Sequence, residues 1–520
     1  MSFSVLERTQ EQTGFDLRRR SPMWVILLFI VIGFAIAVAV SLVAGSAQYG
    51  ALIAAGGILV AIPLVMVAVQ AFPQGWAKLQ LLRQNWTWWH PLWFCIFFSM
   101  LVFRIRDVGE AKANPLDAYA MTRVLPEAFV SLALIIRLLL KKPNWLKALF
   151  TGIPGMMAVY CLICVASSAW SVNASWTAYK SLEFLADVSL LASIVASADS
   201  FLTYQNLLDW TFTFYGLSLA GVWINLPIWP TEAMDGGRLT GVIPVEASNS
   251  VGTSGAVLAI VAVCRLWPLY GKARSRAWYI LLLLFGLTSM ALSQTRNAEA
   301  AFVIAVALVV LFEKQLRKIV LIAAAALAPL VTASILLSHQ MWVKAGELVV
   351  SFAERDQSAG AIDSLSGRTA WWAYGMEQLS KHPLSGLGAY AAGRFAVLNK
   401  LGVGAAAMMH NDWIEILIGT SFWGLIPFAA AFIAAWWYLY RGVRSHVFAP
   451  EQRQLALECF ALLGMLTLHS FFNDELSWHC PLLYFAILGY AEFLRVQGKR
   501  NTAPVPSAEP RNWQLDSEFS

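Results

Sequence analysis

The sequence predicts an all-α, polytopic integral membrane protein, and three observations carry that expectation. Of its 520 residues 58% are hydrophobic and only 13% charged, against about 45–50% and 25% in soluble domains. The apolar residues run in blocks such as 24–44 and 51–72, near the roughly 20 residues that cross hydrocarbon. Aromatic side chains gather at block ends, as in Trp86-Thr87-Trp88-Trp89 and Trp436-Trp437-Tyr438, where amphipathic rings settle at the membrane interface. Long uniform blocks also exclude an outer-membrane barrel, whose strands alternate in short segments.

Taken in order, spans are expected near 24–44, 51–72, 90–103, 119–140, 148–170, 176–197, 204–229, 251–270, 277–294, 298–313, 318–338, 412–440, 454–472 and 478–496. The 90–103 block is short and 119–140 carries Arg123, Glu127 and Arg137, so the expected number is twelve to fourteen. Residues 1–23 and 497–520 are polar tails. About twenty polar residues precede the first apolar block, unlike the short charged lead of a cleaved signal, so Trp24–Ala44 reads as a retained helix. Basic residues cluster at Leu17–Arg20, Lys141–Lys147, Gly271–Arg276, Glu313–Lys318 and Arg441–Arg453, and the positive-inside bias then puts both termini in the cytoplasm. Those clusters account for the net charge of +6, and no run is dense enough to read as a nucleic-acid face. The six cysteines lie in or beside apolar blocks, so Cys161-x-x-Cys164 reads as core packing rather than a redox pair or metal site.

Residues 339–411 break this rhythm with a mixed polar and apolar stretch. Met341–Phe352 and Thr369–Leu379 have helical apolar spacing, while Pro383, Gly386 and Gly388 punctuate the chain beyond them. A long loop so patterned is expected to be a folded extracytoplasmic cap of short helices. The topology gathers four residues on its face: Arg238 in Asp235-Gly-Gly-Arg-Leu-Thr-Gly, Arg296 in the tight Ser293-Gln-Thr-Arg-Asn turn, Arg368 in Ser366-Gly-Arg-Thr, and His410 in Met408-Met-His-Asn-Asp-Trp. Arginine's planar, permanently charged fork suits phosphate oxygens, and histidine exchanges protons near neutrality.

Each residue also has a plainer role open to it. A lone loop arginine is solvated or touches a headgroup, Arg368 after Ser-Gly caps a helix, and His410 anchors at the interface. Lys381, His382, Arg394 and Lys400 read as surface residues of the cap. Glu415, one turn into the following span, is either a structural partner or a catalytic acid, since intramembrane carboxylates face the bundle interior. There is no Gly-x-x-x-x-Gly-Lys-Ser/Thr loop, no His-Glu-x-x-His and no Cys/His ligand spacing, so the chemistry is expected to need no cofactor and no metal.

Leu365-Ser-Gly-Arg-Thr-Ala-Trp, Lys381-His-Pro-Leu-Ser-Gly-Leu-Gly, His410-Asn-Asp-Trp-Ile-Glu and Phe422-Trp-Gly-Leu, in that order and spacing, resemble the signature region of the O-antigen ligase and polymerase (Wzy) superfamily. Ser293-Gln-Thr-Arg296, and Gly237-Arg-Leu-Thr-Gly followed by Asn249, are similar to two upstream features of that family. The specific part covers roughly 235–430. The resemblance implies a glycosyltransferase of the bacterial inner membrane with a periplasmic active face, moving a glycan from undecaprenyl pyrophosphate to an acceptor sugar. That acceptor is lipid A-core or a growing polysaccharide, in lipopolysaccharide or exopolysaccharide biosynthesis, and polysaccharide-assembly machinery would be a partner. By motif, Arg238, Arg296 and Arg368 would hold the pyrophosphate and His410 would act as general base on the acceptor hydroxyl or support it, with Glu415 the nearer carboxylate. The chain departs from the family where Glu-x-Gly is common: it reads Gly419-Thr-Ser421. The rival reading is a polysaccharide flippase or other multi-helix transporter. Such folds carry internal repeats around a midplane site, whereas the halves here are dissimilar and the polar candidates sit at the edge.

Overall fold

The computed structural model describes residues 50–101, 108–114, 117–140, 145–198, 200–267, 275–322, 325, 367–403, 408–473, 475–477 and 481–502. The expected span at 24–44, most of that at 318–338 and the cap before residue 367 lie outside the described residues, as do the tail residues 1–23 and 503–520, while 497–502 continue the last helix.

The helices fall where the apolar blocks predict them: α1 (Gly50–Gln84), α2 (His90–Leu101), α3 (Ala118–Leu139), α4 (Gly152–Ala166), α5 (Ala174–Ser197), α6 (Phe201–Ile228), α7 (Ser248–Leu266), α8 (Arg276–Ser293), α9 (Arg296–Phe312), α10 (Arg368–Lys381), α11 (Asp412–Arg444), α12 (Pro450–Phe472) and α13 (Leu482–Thr502). A two-residue hairpin, β1 (Met234–Asp235) with β2 (Arg238–Leu239), lies between α6 and α7. The protein is thus all-α and polytopic. Among the described residues six helices are long and apolar enough to cross a membrane. Others, such as α3 and α5, bury charged groups inside the bundle, including Glu127, Lys180, Glu183 and Asp187, which dilutes their hydropathy without exposing charge to lipid.

The chain divides into two compact units, one of residues 1–78 with 275–281 and the other of 79–274 with 282–520. In the first, Gln74 accepts the Trp278 N–H at 3.2 Å and the Lys78 ammonium lies 4.9 Å from the Tyr279 ring centre. The second holds every polar residue discussed below. Its centre is α11, whose Phe428 packs on Tyr160 of α4 at 5.1 Å between ring centres and on Tyr484 of α13 at 6.0 Å. Helix α9 presents the buried stripe Ala298, Ala301 and Ala305, small residues that let helix backbones approach closely in a bilayer. Cys161 and Cys164 are free and buried in this core.

Two ends of this unit can be told apart. At one, Glu492 of α13 accepts the Ile153 N–H at the start of α4. At the other, the Ser167 hydroxyl, just past α4, accepts the Ala389 N–H at 3.0 Å. The cap segment 383–398 docks on that second end: Trp170 Nε1 donates to the Ser385 carbonyl, Thr177 to that of Ala389 and Trp176 Nε1 to that of Tyr390.

The Lys381–Gly388 motif has a backbone explanation. Helix α11 breaks at Ser421, whose φ of 57° and ψ of −158° are non-helical, so nearby carbonyls need partners from outside the helix. The N–H groups of Leu387 and Gly388 supply them, donating to Ile418 and Gly419 at 2.9 Å each. This approach requires Gly386, at φ +65°, where a Cβ would come within 2.6 Å of the Gly419 oxygen. Lys381, His382 and Lys400 are exposed as expected. Arg394 is not: it is buried, with its guanidinium 4.8 Å from the Trp176 ring and 5.8 Å from that of Phe395. Stacking on aromatic faces is what lets its charge leave the surface.

Candidate active site

The expected Ser293–Arg296 turn is present. Gln294 takes a left-handed φ of 51°, ending α8 and letting Arg296 open α9. Arg238, on the hairpin strand β2, reaches this turn: its Nε donates to the Ser293 carbonyl at 3.1 Å and its Nη2 to Asn249 Oδ1 at 3.3 Å. Gln294 returns a bond to the Gly237 carbonyl at 3.1 Å. Arg238 and Arg296 therefore belong to one assembly, built from the hairpin and the α8–α9 turn.

Arg368 and His410 belong to a second assembly, centred on the end of α12. Gly367, left-handed at φ 85°, precedes α10 so that Arg368 opens the helix. Its side chain does more than end the helix, because Nη1 donates to the Phe472 carbonyl at 2.6 Å. The 410–413 turn is fixed to the same place: Asn411 Nδ2 donates to the Phe471 carbonyl at 3.1 Å and Trp413 Nε1 to Ser470 Oγ at 2.9 Å. Asn411 also caps α11 by accepting the Ile414 N–H. His410 itself is left-handed, at φ 55°, a strained geometry for a non-glycine residue that persists only when its surroundings enforce it.

The loop after α12 joins the two assemblies. Asn473 Oδ1 lies 3.3 Å from His410 Nδ1, and its Nδ2 donates to Glu475 Oε1 at 2.6 Å. The same carboxylate oxygen accepts from Thr253 Oγ1 at 3.4 Å and lies 3.8 Å from His469 Nδ1. Thr253 sits one helical turn after Asn249 on α7, donating to its carbonyl at 3.0 Å. A continuous polar chain thus runs from Arg238 through Asn249, Thr253, Glu475 and Asn473 to His410. Asp412 locks the loop in place: its carboxylate accepts the N–H groups of Glu475, Leu476 and Ser477 at 3.1, 3.0 and 2.8 Å and the Ser477 hydroxyl at 2.5 Å.

Burial, reinforced by the Arg368 charge beside it, lowers the His410 pKa from 6.5 to about 4 against the opposing pull of the Asn473 hydrogen bond. The imidazole is therefore neutral at pH 7, the state in which it can take up a proton. Glu415 is placed differently. It is 3% exposed, its Oε2 accepts the Met409 N–H at 3.4 Å, and it faces a small internal cavity lined by Tyr160, Ala389, Tyr390, Ile416, Thr420 and Ser477. The carboxylate connected to His410 is instead Glu475, which no motif pointed to; only its position between the last two spans hinted that it shares a surface with the 410–413 turn.

Residues 280–429 match the family model described as O-antigen ligase. The match takes in Arg296, Arg368, His410 and Glu415, while Arg238, Asn249, Asn473 and Glu475, joined to His410 by the polar chain, lie outside it. No curated protein sequence matches the chain. Among the described residues the chain is helical, with six helices long enough for a bilayer, and its stretch 280–429 is similar to the O-antigen ligase family.

Proposed function

We propose that the protein is a glycosyltransferase of the bacterial inner membrane that moves a glycan from an undecaprenyl-pyrophosphate carrier to a sugar hydroxyl at the periplasmic face. The observation that carries this reading is the polar chain joining Arg238 to His410, with Arg368 close enough to His410 to depress its basicity. Permanent guanidinium charge beside a neutral, half-buried imidazole is the pairing that transfer from a pyrophosphate needs: anion binding that pH does not switch off, and a base.

On this reading Arg238, Arg296 and Arg368 bind the pyrophosphate oxygens. The acceptor oxygen forms a bond to the anomeric carbon as the bond from that carbon to the pyrophosphate oxygen breaks. The acceptor proton passes to His410, and the electron pair leaves with undecaprenyl pyrophosphate, whose growing charge the arginines stabilise. Glu415 is a positioning residue, holding the Met409 N–H and with it the turn that presents His410. Residues 339–411 are periplasmic and both termini cytoplasmic, in keeping with the basic clusters of the sequence. No metal takes part, so turnover persists in a chelator.

The test is reconstitution in proteoliposomes with undecaprenyl-pyrophosphate-linked repeat units, with and without a lipid A-core acceptor. A single product that depends on lipid A-core identifies a ligase, and a ladder without it a polymerase. Movement of the intact lipid-linked glycan across the bilayer with no new glycosidic bond would overturn the reading in favour of transport.

A further inference from the structure

The donors and acceptors around His410 can be assigned by elimination. Glu475 Oε1 lies 2.6 Å from Asn473 Nδ2. A carboxylate only accepts, so the Asn473 NH₂ group faces Glu475 and its carbonyl oxygen faces His410 Nδ1, 3.3 Å away. That oxygen also only accepts, so the proton between the two residues sits on Nδ1. In a neutral imidazole the other nitrogen, Nε2, then carries the lone pair.

We propose that Glu475 and Asn473 are positioning residues that hold His410 in the Nδ1–H tautomer and make Nε2 its basic nitrogen. The logic is that of any base oriented by a third group, in which the far hydrogen bond decides which nitrogen reacts. Three features of the structure make the orientation rigid. Asp412 fixes residues 475–477 through three hydrogen bonds to backbone N–H groups and one to the Ser477 hydroxyl. Thr253 Oγ1 lies 3.4 Å from the carboxylate oxygen that receives Asn473. The Asn473 backbone N–H is itself held by the His469 carbonyl at 2.7 Å, which fixes the main chain that carries the amide. That Nε2 serves the acceptor hydroxyl rests on the proposed function; the tautomer itself does not.

The test is nitrogen-15 spectroscopy of the full chain, labelled at histidine and held in lipid nanodiscs at pH 7, with the His410 signals identified by their loss in His410→Gln. The expected result is a protonated Nδ1 and an unprotonated Nε2. Asn473→Leu should move His410 toward the opposite tautomer and lower kcat by up to about 10⁴-fold, the scale of loss when a catalytic histidine is held in the wrong tautomer, while donor Kd stays near wild type. The paired change Asn473→Asp with Glu475→Gln reverses donor and acceptor between those two positions yet still offers an oxygen to Nδ1, and should restore the Nδ1–H signal. A wild-type His410 protonated on Nε2, or a tautomer unchanged in Asn473→Leu, would overturn the proposal. The spectra do not depend on turnover: an Nδ1–H tautomer in a protein whose His410→Ala variant still transfers glycan at the wild-type rate would sustain this assignment and remove the base from the mechanism.

Discussion

The two ends of the larger unit hold their arginines in different ways. At the end away from the cap, Arg265 is gripped by Asp209 at 2.5 Å and Glu458 at 2.7 Å, and Arg495 by Glu492 at 2.6 Å. Arg265 lies sixteen residues along α7 from Asn249, roughly 24 Å at the helical rise. At the cap end, Arg238 donates to a carbonyl and an amide oxygen and Arg368 to a carbonyl. Carboxylates match and neutralise a guanidinium. Neutral oxygens orient it, and the Arg368 charge adds to burial in lowering the His410 pKa. The backbone differs as well: Gln294, Tyr390, His410 and Ser421 are all left-handed at or beside the cap end. Among the described residues, left-handed backbone and guanidinium contacts to neutral oxygens gather at the cap end, and guanidinium–carboxylate pairs at the other.

The largest expected break in this comparison is His410→Ala. Removing a general base costs about 10²–10⁴-fold in rate, so transfer should fall by that much while binding of the lipid-linked donor holds. Loss of donor binding together with transfer would place the histidine among the anion contacts instead. At the opposite end the sign of the split reverses. Arg265→Ala leaves the buried Glu458 and the half-buried Asp209 without this cation, a change that typically costs about 3–5 kcal/mol for a buried pair. It should lower the melting temperature sharply and leave donor Kd, in the protein that survives, unchanged.

Arg368→Lys comes next in size. The hydrogen bonds of a charged donor contribute about 1.5–3 kcal/mol, and an ammonium cannot both reach the Phe472 carbonyl and present a planar fork to an anion. Donor affinity should weaken about 10- to 100-fold, and isothermal titration with the lipid-linked glycan or a soluble pyrophosphate mimic would measure it. Near-normal affinity would reduce Arg368 to a helix-end contact.

The pH dependence sharpens the same comparison. An unperturbed histidine titrates near 6.5, which predicts an acid limb there; the structure moves the limb down, because His410 protonates only at about 4. Transfer should stay flat between pH 7 and 5 and fall below that, and His410→Ala should lack the limb. The linkage runs the same way: between 6.5 and 4 the unfolded chain binds a proton that the native His410 does not, so this contribution to stability is full above 6.5 and is lost as pH falls toward 4. A rate that halves near 6.5 would show that another group controls proton transfer.

The scaffold was legible in the sequence and much of the site was not, for physical reasons. A span leaves a long apolar signature, and the helices of the second unit begin and end close to where that signature does. The Ser293–Arg296 turn and the helix opening at Arg368 were legible too, since each is a local break in an apolar pattern. Asn473 and Glu475 left no such mark: they are two polar residues in a short connection, meaningful only because α11 and α12 bring residues 410 and 473 together. Arg394 misled for the converse reason, as nothing local says that Trp176, over two hundred residues earlier, supplies the aromatic face that buries it. The Lys381–Gly388 motif is visible as sequence, but its purpose is carried by backbone N–H groups, which side-chain chemistry does not reveal.

The smallest expected effect concerns the break in α11 at Ser421. With φ 57° and ψ −158°, Ser421 occupies a region that costs a non-glycine residue on the order of 1–3 kcal/mol. Its hydroxyl returns part of that by donating to the Pro383 carbonyl, a bond contributing about 0.5–1.5 kcal/mol net. The two terms oppose each other in Ser421→Gly, which loses the bond and the strain together and should be neutral to about 1 kcal/mol more stable than wild type. They add in Ser421→Ala, which loses the bond and keeps the strain and should be less stable by about 1 kcal/mol. Melting temperatures in one detergent would rank the three proteins: Gly at or above Ser, Ser above Ala. If Ala and Gly instead fell together, the hydroxyl alone would matter and the backbone of the break would be relaxed. If both variants melted as wild type yet transferred glycan slowly, the break would serve the turn carrying His410 rather than the stability of the helix.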